Sequence, residues 1–378
     1  MTSSHLGLSF LDQSPILVRA HRIDNYAVHV DDGLLTRLTG LLTDVLERLD
    51  SPDVVIAVDT GAAEHHLGAV TAAVLSTGRP FQVVPVPAGE ASKSPRGLSA
   101  LVRALHHHRA SRRTLLLAVG GGMVCDLATT AAAGYMRGIP YALLPTTVLA
   151  QVDAAIGGKG GLDDNGAKNL LGAFHHPAAV FVDPLLTGTL PERHVRNGLA
   201  EVIKVALIDD TDDLFHVLEQ HPDQLPTGQV LTGIVRAAIA AKLRLLADDP
   251  FEQGDLRRLL NLGHCIGHPY EAATGYRVLH GEAVAVGMAA AAAHAHLAGV
   301  TTLAERDRIL RLLDAYRLPA ALPEAMRERT WEGMDTVRRV RGGPLHLVLP
   351  RTPGHCTVTD DIDRASYDKA VSELAARP

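Results

Sequence analysis

The sequence predicts an α/β half followed by an all-α half, with residues 1–188 as the N-terminal α/β domain and 189–378 as the C-terminal helical domain. Short continuous apolar runs alternate with helical spacings as far as residue 144, the pattern of a parallel sheet covered by helices on both faces. Beyond residue 188 helical periods dominate, and the one strand-like run is 345–349. The 378 residues also exceed a usual domain of about 150 residues.

Taken in order, residues 16–30 read as an extended opening of antiparallel strands. Residues 31–50 space Leu34, Leu35, Leu38, Leu41, Leu42 and Val45 as one face of a helix. Residues 54–58 are a buried strand, 62–75 a helix, 81–86 a strand and 95–108 a helix. A strand at 114–119, a helix at 123–135 and a strand at 141–144 complete the alternation. Helices are then predicted at 192–207, 212–219, 229–247, 256–273, 281–297 and 302–316. The alanine-rich stretch 283–300 contains His294 and His296 and reads as a buried helix, being too weakly apolar for a membrane span. The first residues lack the basic start and apolar run of a signal peptide, so a cytoplasmic, membrane-free protein is expected.

Composition narrows the function. Hydrophobic residues are 47% and charged residues 21%, as in a globular chain and unlike a disordered one. A net charge of −6 argues against nucleic acid as a partner, which calls for a basic surface. Three cysteines, Cys125, Cys265 and Cys356, cannot build a disulfide framework and suit a reducing compartment. Aromatics are only 4%, yet there are 20 histidines, which serve either as solvated surface or as metal and acid–base groups. His65, His66 and His106 to His108 are read as surface residues.

Ligands of such folds sit at the carboxyl ends of the parallel strands, so the cleft facing the helical half is the expected site. Gly120, Gly121, Gly122 and Asp126 join a strand to a helix. The glycines allow close backbone approach to an anion at the helix start, although a plain tight turn gives the same pattern. Glu90 and Lys93 open another helix, where a cap with solvated charges is the favoured reading from the local pattern alone. Thr146 and Thr147 follow a strand, and Asp153, Lys159, Lys168 and Asn169 form a polar run beside the cleft; its lysines suit an anionic substrate. Glu201 and Lys204 share a helix face at i, i+3. Arg257, Asn261, His264 and His268 recur as a polar stripe on the predicted helix 256–273, with His280 twelve residues further on. Spacing alone nominates His264, His268 and Glu201 as metal ligands.

These segments together resemble the 3-dehydroquinate synthases and the wider sugar-phosphate cyclases over about residues 54–350. The resemblance lies in GGGMVCDLA (120–128), GYMRGIPYALLPTTVLAQVDAAIGGK (134–159), AKNLLGAFHHP (167–177), NGLAEVIK (197–204), LNLGHCIGHPYEA (260–272) and LHGEAVAVGM (279–288). It implies a Rossmann-like NAD-binding domain, a helical metal-binding domain and a homodimer. It also implies a different ligand set: zinc, or cobalt, on Glu201, His264 and His280, with His268 beside the substrate phosphate. NAD would lie on Asp59, Glu90, Lys93, Gly120, Gly121, Gly122, Asp126, Thr146, Thr147 and Lys168. Catalytic roles carry over to Lys204, His268, Asp153, Lys159 and Asn169, and substrate contacts to Lys242, Arg257, Asn261 and Arg338. Arg137 would reach the phosphate in the neighbouring subunit.

The implied reaction oxidises an alcohol transiently, eliminates phosphate, returns the hydride and closes the ring by an intramolecular aldol step. Within the resemblance, Arg257 and Asn261 favour a carboxylated heptulosonate 7-phosphate, the dehydroquinate type, since a guanidinium pairs with a carboxylate. Its aminated counterpart, the valiolone and deoxy-inosose types, and a polyol dehydrogenase of glycerol-dehydrogenase type are the alternatives; a catalytically dead paralogue is a further one. Departures gather around the substrate pocket. Gly160 replaces a threonine, Pro269 an alanine, Arg338 a lysine, and an extra residue lies between Lys242 and Arg257. A proline in a helix interior costs about 3 kcal/mol. The pattern suggests a specialised paralogue in secondary metabolism.

Overall fold

The computed structural model describes residues 5–9, 17–21, 24–164, 167–221, 225–254, 258–341 and 343–375. Strands β1 (His5–Ser9) and β2 (Leu17–His21) pair antiparallel. Next come β3 (Ala27–Val30), α1 (Leu38–Arg48), β4 (Val54–Asp59), α2 (Thr60–Ser76), β5 (Phe81–Val86) and α3 (Pro95–His107). They are followed by β6 (Leu115–Gly120), α4 (Gly122–Gly134) and β7 (Tyr141–Pro145). A hairpin of β8 (Lys159–Asp164) and β9 (Ala167–Phe174) precedes β10 (Ala179–Val182).

The main sheet has the order β3-β10-β7-β6-β4-β5 and every pairing in it is parallel. Alternate residues of each strand enter opposite cores. Val54, Ile56, Val58, Leu115, Leu117 and Val119 pack with Leu38, Leu42 and Val74 of α1 and α2. Val55, Ala57, Leu116 and Ala118 pack with α3, α4 and the helical half. Burial on both faces is why these strands read as unbroken apolar runs. Asp59 caps α2 by accepting from the backbone N–H of Gly61 and Ala62, and Ser94 caps α3, with Pro95 in its first turn.

The helical half comprises α5 (Glu192–Ile208), α6 (Leu214–Glu219), α7 (Gly228–Leu246), α8 (His264–Ala273), α9 (His280–Leu297), α10 (Leu303–Ala315) and α11 (Glu324–Arg341). The hairpin β11 (Leu347–Thr352) and β12 (His355–Thr359), then α12 (Arg364–Ala375), complete it. Helix α9 is its axis, with every residue from 283 to 295 buried and α5, α8, α10 and α12 packed around it. Its small residues permit close approach. A Cβ at Gly281 would lie 1.9 Å from the carbonyl oxygen of Asn197, and one at Gly287 1.9 Å from that of Gly263. The first contact docks the start of α9 against α5, and the second docks the start of α8 against the middle of α9. Among the described residues no helix is long and apolar enough to cross a membrane.

Several expectations are corrected. Only β1 and β2 of the opening are antiparallel; β3 joins the main sheet parallel to β10, tied there by Asp183, which accepts from the N–H of Gly33 and Leu35. The helix expected over 256–273 begins at His264, behind a 3₁₀ turn at Leu259–Asn261 and Gly263 with φ +80°. The polar stripe from Arg257 to His268 is therefore not one helix face. Pro269 stays inside α8, its ring against Gly333 of α11, where a Cβ would come within 2.9 Å. His66 is buried, within 3.5 Å of Thr189 Oγ1. The β8–β9 hairpin, β10, α11, β12 and α12 were not anticipated.

Candidate active site

The carboxyl ends of β4 and β6 carry Asp59 and Gly120, and the pair Thr146–Thr147 follows β7. Gly120 has φ +147°, and a Cβ there would lie 2.6 Å from Asp59 Cβ. A Cβ on Gly121 would lie 3.3 Å from Thr147 Cγ2 and one on Gly122 3.2 Å from Ala154 Cβ. The turn is therefore a cradle of bare backbone walled by side chains. Beside it Lys93 Nζ sits 2.6 Å from Asp126 Oδ2. Burial pushes Asp126 up to about 6 despite this ammonium. Burial also opposes the charge of Lys93, but Asp126 and Glu90 outweigh it and keep that lysine protonated.

The second cluster is built from three helices. On α5, Glu201 and Lys204 are one turn apart, fully buried and paired. The Oε1 of Glu201 faces outward from this pair, 3.4 Å from His280 Nε2 and 3.8 Å from His264 Nε2, and has no hydrogen bond among the described residues. Burial alone would raise the pKa of Glu201, but Lys204 and the imidazoles hold it at about 2. His264 donates from Nδ1 to the carbonyl of Leu262 at 3.1 Å, leaving Nε2 as a lone pair. Burial and Lys204 push its pKa down to about 4. His280 turns Nδ1 to Glu271 Oε2 at 3.3 Å. Burial opposes its charge, but Glu201 and Glu271 raise it to about 9. The His268 ring stands edge-on to His264, centroids 4.7 Å apart. Burial and the neighbouring imidazoles keep it neutral. Nitrogens of His264, His268 and His280 all lie within 4.8 Å of one another.

Lysines ring this cluster. Lys242 Nζ is 2.6 Å from both the carboxylate and the carbonyl of Asp153, which lies on a single π turn after β7. Burial works against the Asp153 carboxylate, yet Lys242 and Lys204 hold its pKa well below the usual range. Lys168 Nζ reaches Glu271 at 2.6 Å and Glu90 at 3.3 Å, so it joins the glycine turn to the histidine cluster. Asn169, with φ +51°, lies over Gly161 on the hairpin. Gly160 is pressed against α4, where a Cβ would meet Thr130 N at 2.8 Å.

The structure thus brings together Asp153, Glu201, Lys204, Lys242, His264, His268 and His280, with Glu90, Lys93, Asp126 and Lys168 adjoining. Asn261 ends the 3₁₀ turn before α8. Arg137 is exposed on the turn after α4. Arg338 is not brought in: it is exposed on α11 and held by Asp335 at 2.5 Å. Arg257 lies outside the described residues. Sequence reasoning missed Glu271, whose position seven residues after His264 on the same helix was the available signal. It also missed Glu252 and Arg258, for which no spacing rule exists.

Comparison with known proteins decides what this arrangement belongs to. The family model described as 3-dehydroquinate synthase N-terminal matches residues 83–197, and its C-terminal counterpart matches 198–339. The chain belongs to the 3-dehydroquinate synthase family. A 2-epi-valiolone synthase of Stigmatella aurantiaca is 44% identical, the match covering 99% of this chain and 95% of that protein. A 3-dehydroquinate synthase of Symbiobacterium thermophilum is 38% identical over 90% of this chain and 95% of its own. Among solved structures, ValA, a 2-epi-5-epi-valiolone synthase from Streptomyces hygroscopicus with NAD+ and Zn2+ bound, superposes with TM-score 0.88. It shares 30% identity and covers 96% of this chain and 100% of its own. The family match bears out the expected fold, a Rossmann-like α/β half with a helical half, and the expectation of an enzyme among the sugar-phosphate cyclases.

Proposed function

We propose that this chain is an NAD- and metal-dependent cyclase, a carbon–oxygen lyase that closes a seven-carbon sugar 7-phosphate into a carbocycle with loss of phosphate. The observation that carries this reading is the convergence of two oriented imidazoles on a buried carboxylate oxygen that lacks a hydrogen bond. That donor set fits a divalent ion such as zinc or cobalt. Glu201, His264 and His280 would hold it: His264 and His280 each have a partner on Nδ1 and turn Nε2 toward Glu201, as metal-bound histidines do. No such orienting partner is found for His268 among the described residues, which favours this set over the one nominated by spacing.

The cradle at Gly120 to Gly122 fits a dinucleotide pyrophosphate on the start of α4, with Asp59, Glu90, Lys93, Asp126, Thr146, Thr147 and Lys168 around it. When bound, NAD would take up and return a hydride while the metal polarises the reacting carbon–oxygen bond. The chain's own groups do the rest. Lys204, Lys242 and Lys159 supply positive charge for phosphate and oxyanions. Asp153 fixes Lys242, and neutral His268 can accept or pass a proton. Asn169 and Asn261 suit hydroxyls, and Arg137 would reach into the neighbouring subunit of a homodimer. A boundary near residue 188 and a cytoplasmic location belong to the same reading.

A carboxylated heptulosonate 7-phosphate, expected from the sequence, and an uncarboxylated heptulose 7-phosphate both fit this machinery. The test is to incubate the protein with NAD, zinc and each sugar and to follow inorganic phosphate and NADH together. Phosphate release without net NADH supports the reading. Net NADH from a simple polyol, with no phosphate released from either sugar, would overturn it in favour of a dehydrogenase.

A further inference from the structure

Gln151 precedes Asp153 by two residues and is fully buried. Its Nε2 donates to the carbonyl oxygens of Pro145 and Asp183, at 3.2 and 2.9 Å. Pro145 ends β7 and Asp183 follows β10, and the register between these strands ends at Leu143 and Val180. Beyond that point the Gln151 amide joins them. Asp183 is itself pinned, its carboxylate accepting from the N–H of Gly33, Leu35 and Leu185. The other half of the amide is unpaired: Gln151 Oε1 is buried with no hydrogen bond among the described residues. A buried acceptor left so costs about 1–3 kcal/mol, which an apolar side chain of the same length would avoid. What the residue contributes is therefore its two donated bonds.

Those bonds hold a turn of unusual width. Ala155 N donates to the carbonyl of Ala150 at 2.9 Å, closing a π turn over Ala150–Ala154, a rare form found frequently at functional sites. Thr147 Oγ1 caps its start by accepting from Ala150 N at 3.1 Å. Asp153 leaves the turn toward α7, where Lys242 Nζ takes both its carboxylate and its carbonyl at 2.6 Å. The charges of Lys204 and His264 act on the same carboxylate. We propose that Gln151 is a positioning residue: by anchoring the π turn to the ends of β7 and β10 it sets the Asp153 carboxylate, and through it the Lys242 side chain, in its place in the cleft. The inference rests on the cyclase reading, in which Lys242 supplies charge for phosphate and oxyanions. Without the two bonds the turn is free to relax to α closure, with the N–H of Ala154 replacing that of Ala155 on the Ala150 carbonyl. That change turns Asp153 relative to Lys242.

The experiment is a double-mutant cycle on phosphate release from the carboxylated and uncarboxylated sugar 7-phosphates, with NAD and zinc present. Wild type is compared with Gln151→Met, which keeps the length and removes the donors, with Asp153→Asn, and with the double variant. Gln151→Met should lower kcat/KM by about 10- to 100-fold. The double variant should fall no more than about twofold below Asp153→Asn, because a residue acting through another does not add to its loss. Zinc affinity, read by chelator competition, should hardly move, since its expected ligands stand on α5, α8 and α9. Gln151→Glu should lie between Gln151→Met and wild type: burial favours the protonated carboxyl, which donates one of the two bonds. Losses that multiply in the double variant, a zinc affinity that falls in parallel, or a Gln151→Met within about twofold of wild type overturns the inference and leaves the cyclase reading intact. Phosphate release from neither sugar by wild type sinks both. If Gln151→Met melts below the assay temperature, Gln151→Glu carries the cycle; if both do, the residue is structural and the inference falls.

Discussion

Glu271 fixes which nitrogen of His280 faces the cluster: its Oε2 lies 3.3 Å from Nδ1, and Nε2 is thereby turned to Glu201, 3.4 Å away. Lys168 holds the same carboxylate from the other side at 2.6 Å. Glu271→Gln keeps the shape and removes the charge that sets the tautomer. Zinc affinity should fall about 10- to 100-fold, measured by competition with a chromophoric chelator. An unchanged affinity would mean that Glu271 does not orient His280.

Glu201 and Lys204 are buried as a pair on α5, so removing one partner strands the other charge. Glu201→Ala should cost about 3–5 kcal/mol of stability even with zinc chelated away, read from urea denaturation, besides abolishing zinc binding. The double variant with Lys204→Met should recover most of that stability and none of the zinc affinity. If Glu201→Ala still bound zinc at wild-type strength, the ligands would have to be His264, His268 and His280 alone.

How far the sequence disclosed this site depends on which kind of neighbour each residue has. Buried parallel strands were legible because both faces are apolar, and so was α9, whose alanines record close packing around Gly281 and Gly287. Glu201 and Lys204 were legible as a shared face, since one helical turn fixes both. The break before His264 was not, because Leu262 and Gly263, the latter with φ +80°, separate the 3₁₀ turn from α8 within two residues. Spacing, moreover, favoured His268 over His280. What separates them is the pairing of Nδ1 with Glu271 across nine residues, and the meeting of Nε2 with Glu201 on another helix. The contact of Glu252 with Lys159 spans 93 residues, beyond any local period.

Acid stability should report Asp209 at the end of α5. Burial would raise its pKa, but Arg244 and Thr211, bonded to its carboxylate at 2.8 and 2.6 Å, outweigh this and hold it at about 2. A carboxylate depressed in the folded state contributes stability above its unfolded pKa of about 3.9 and loses it as pH falls further. The window is therefore pH 4 down to about 2. Asp209→Asn should flatten the loss of stability across that window and lower stability at pH 7, as followed by thermal melts. Because Arg244 is partly exposed, the effect should shrink in high salt.

The glycine turn offers a graded test of the NAD site. At Gly120 the backbone is at φ +147°, and a methyl group would lie 2.6 Å from Asp59 Cβ and 2.7 Å from Val124 Cγ1. It would press β6 away from β4 and tilt the first turn of α4, where the pyrophosphate is expected; the strained backbone adds about 1–3 kcal/mol of destabilisation. At Gly121 the φ is −80° and the nearest atom to such a methyl is 3.3 Å away, on Thr147. Gly120→Ala should weaken NAD binding by well over about tenfold and Gly121→Ala by less, both measured by calorimetry. Zinc affinity should hardly move in either variant, because its expected ligands stand on α5, α8 and α9. Equal effects at the two positions would mean that the dinucleotide does not rest on this turn.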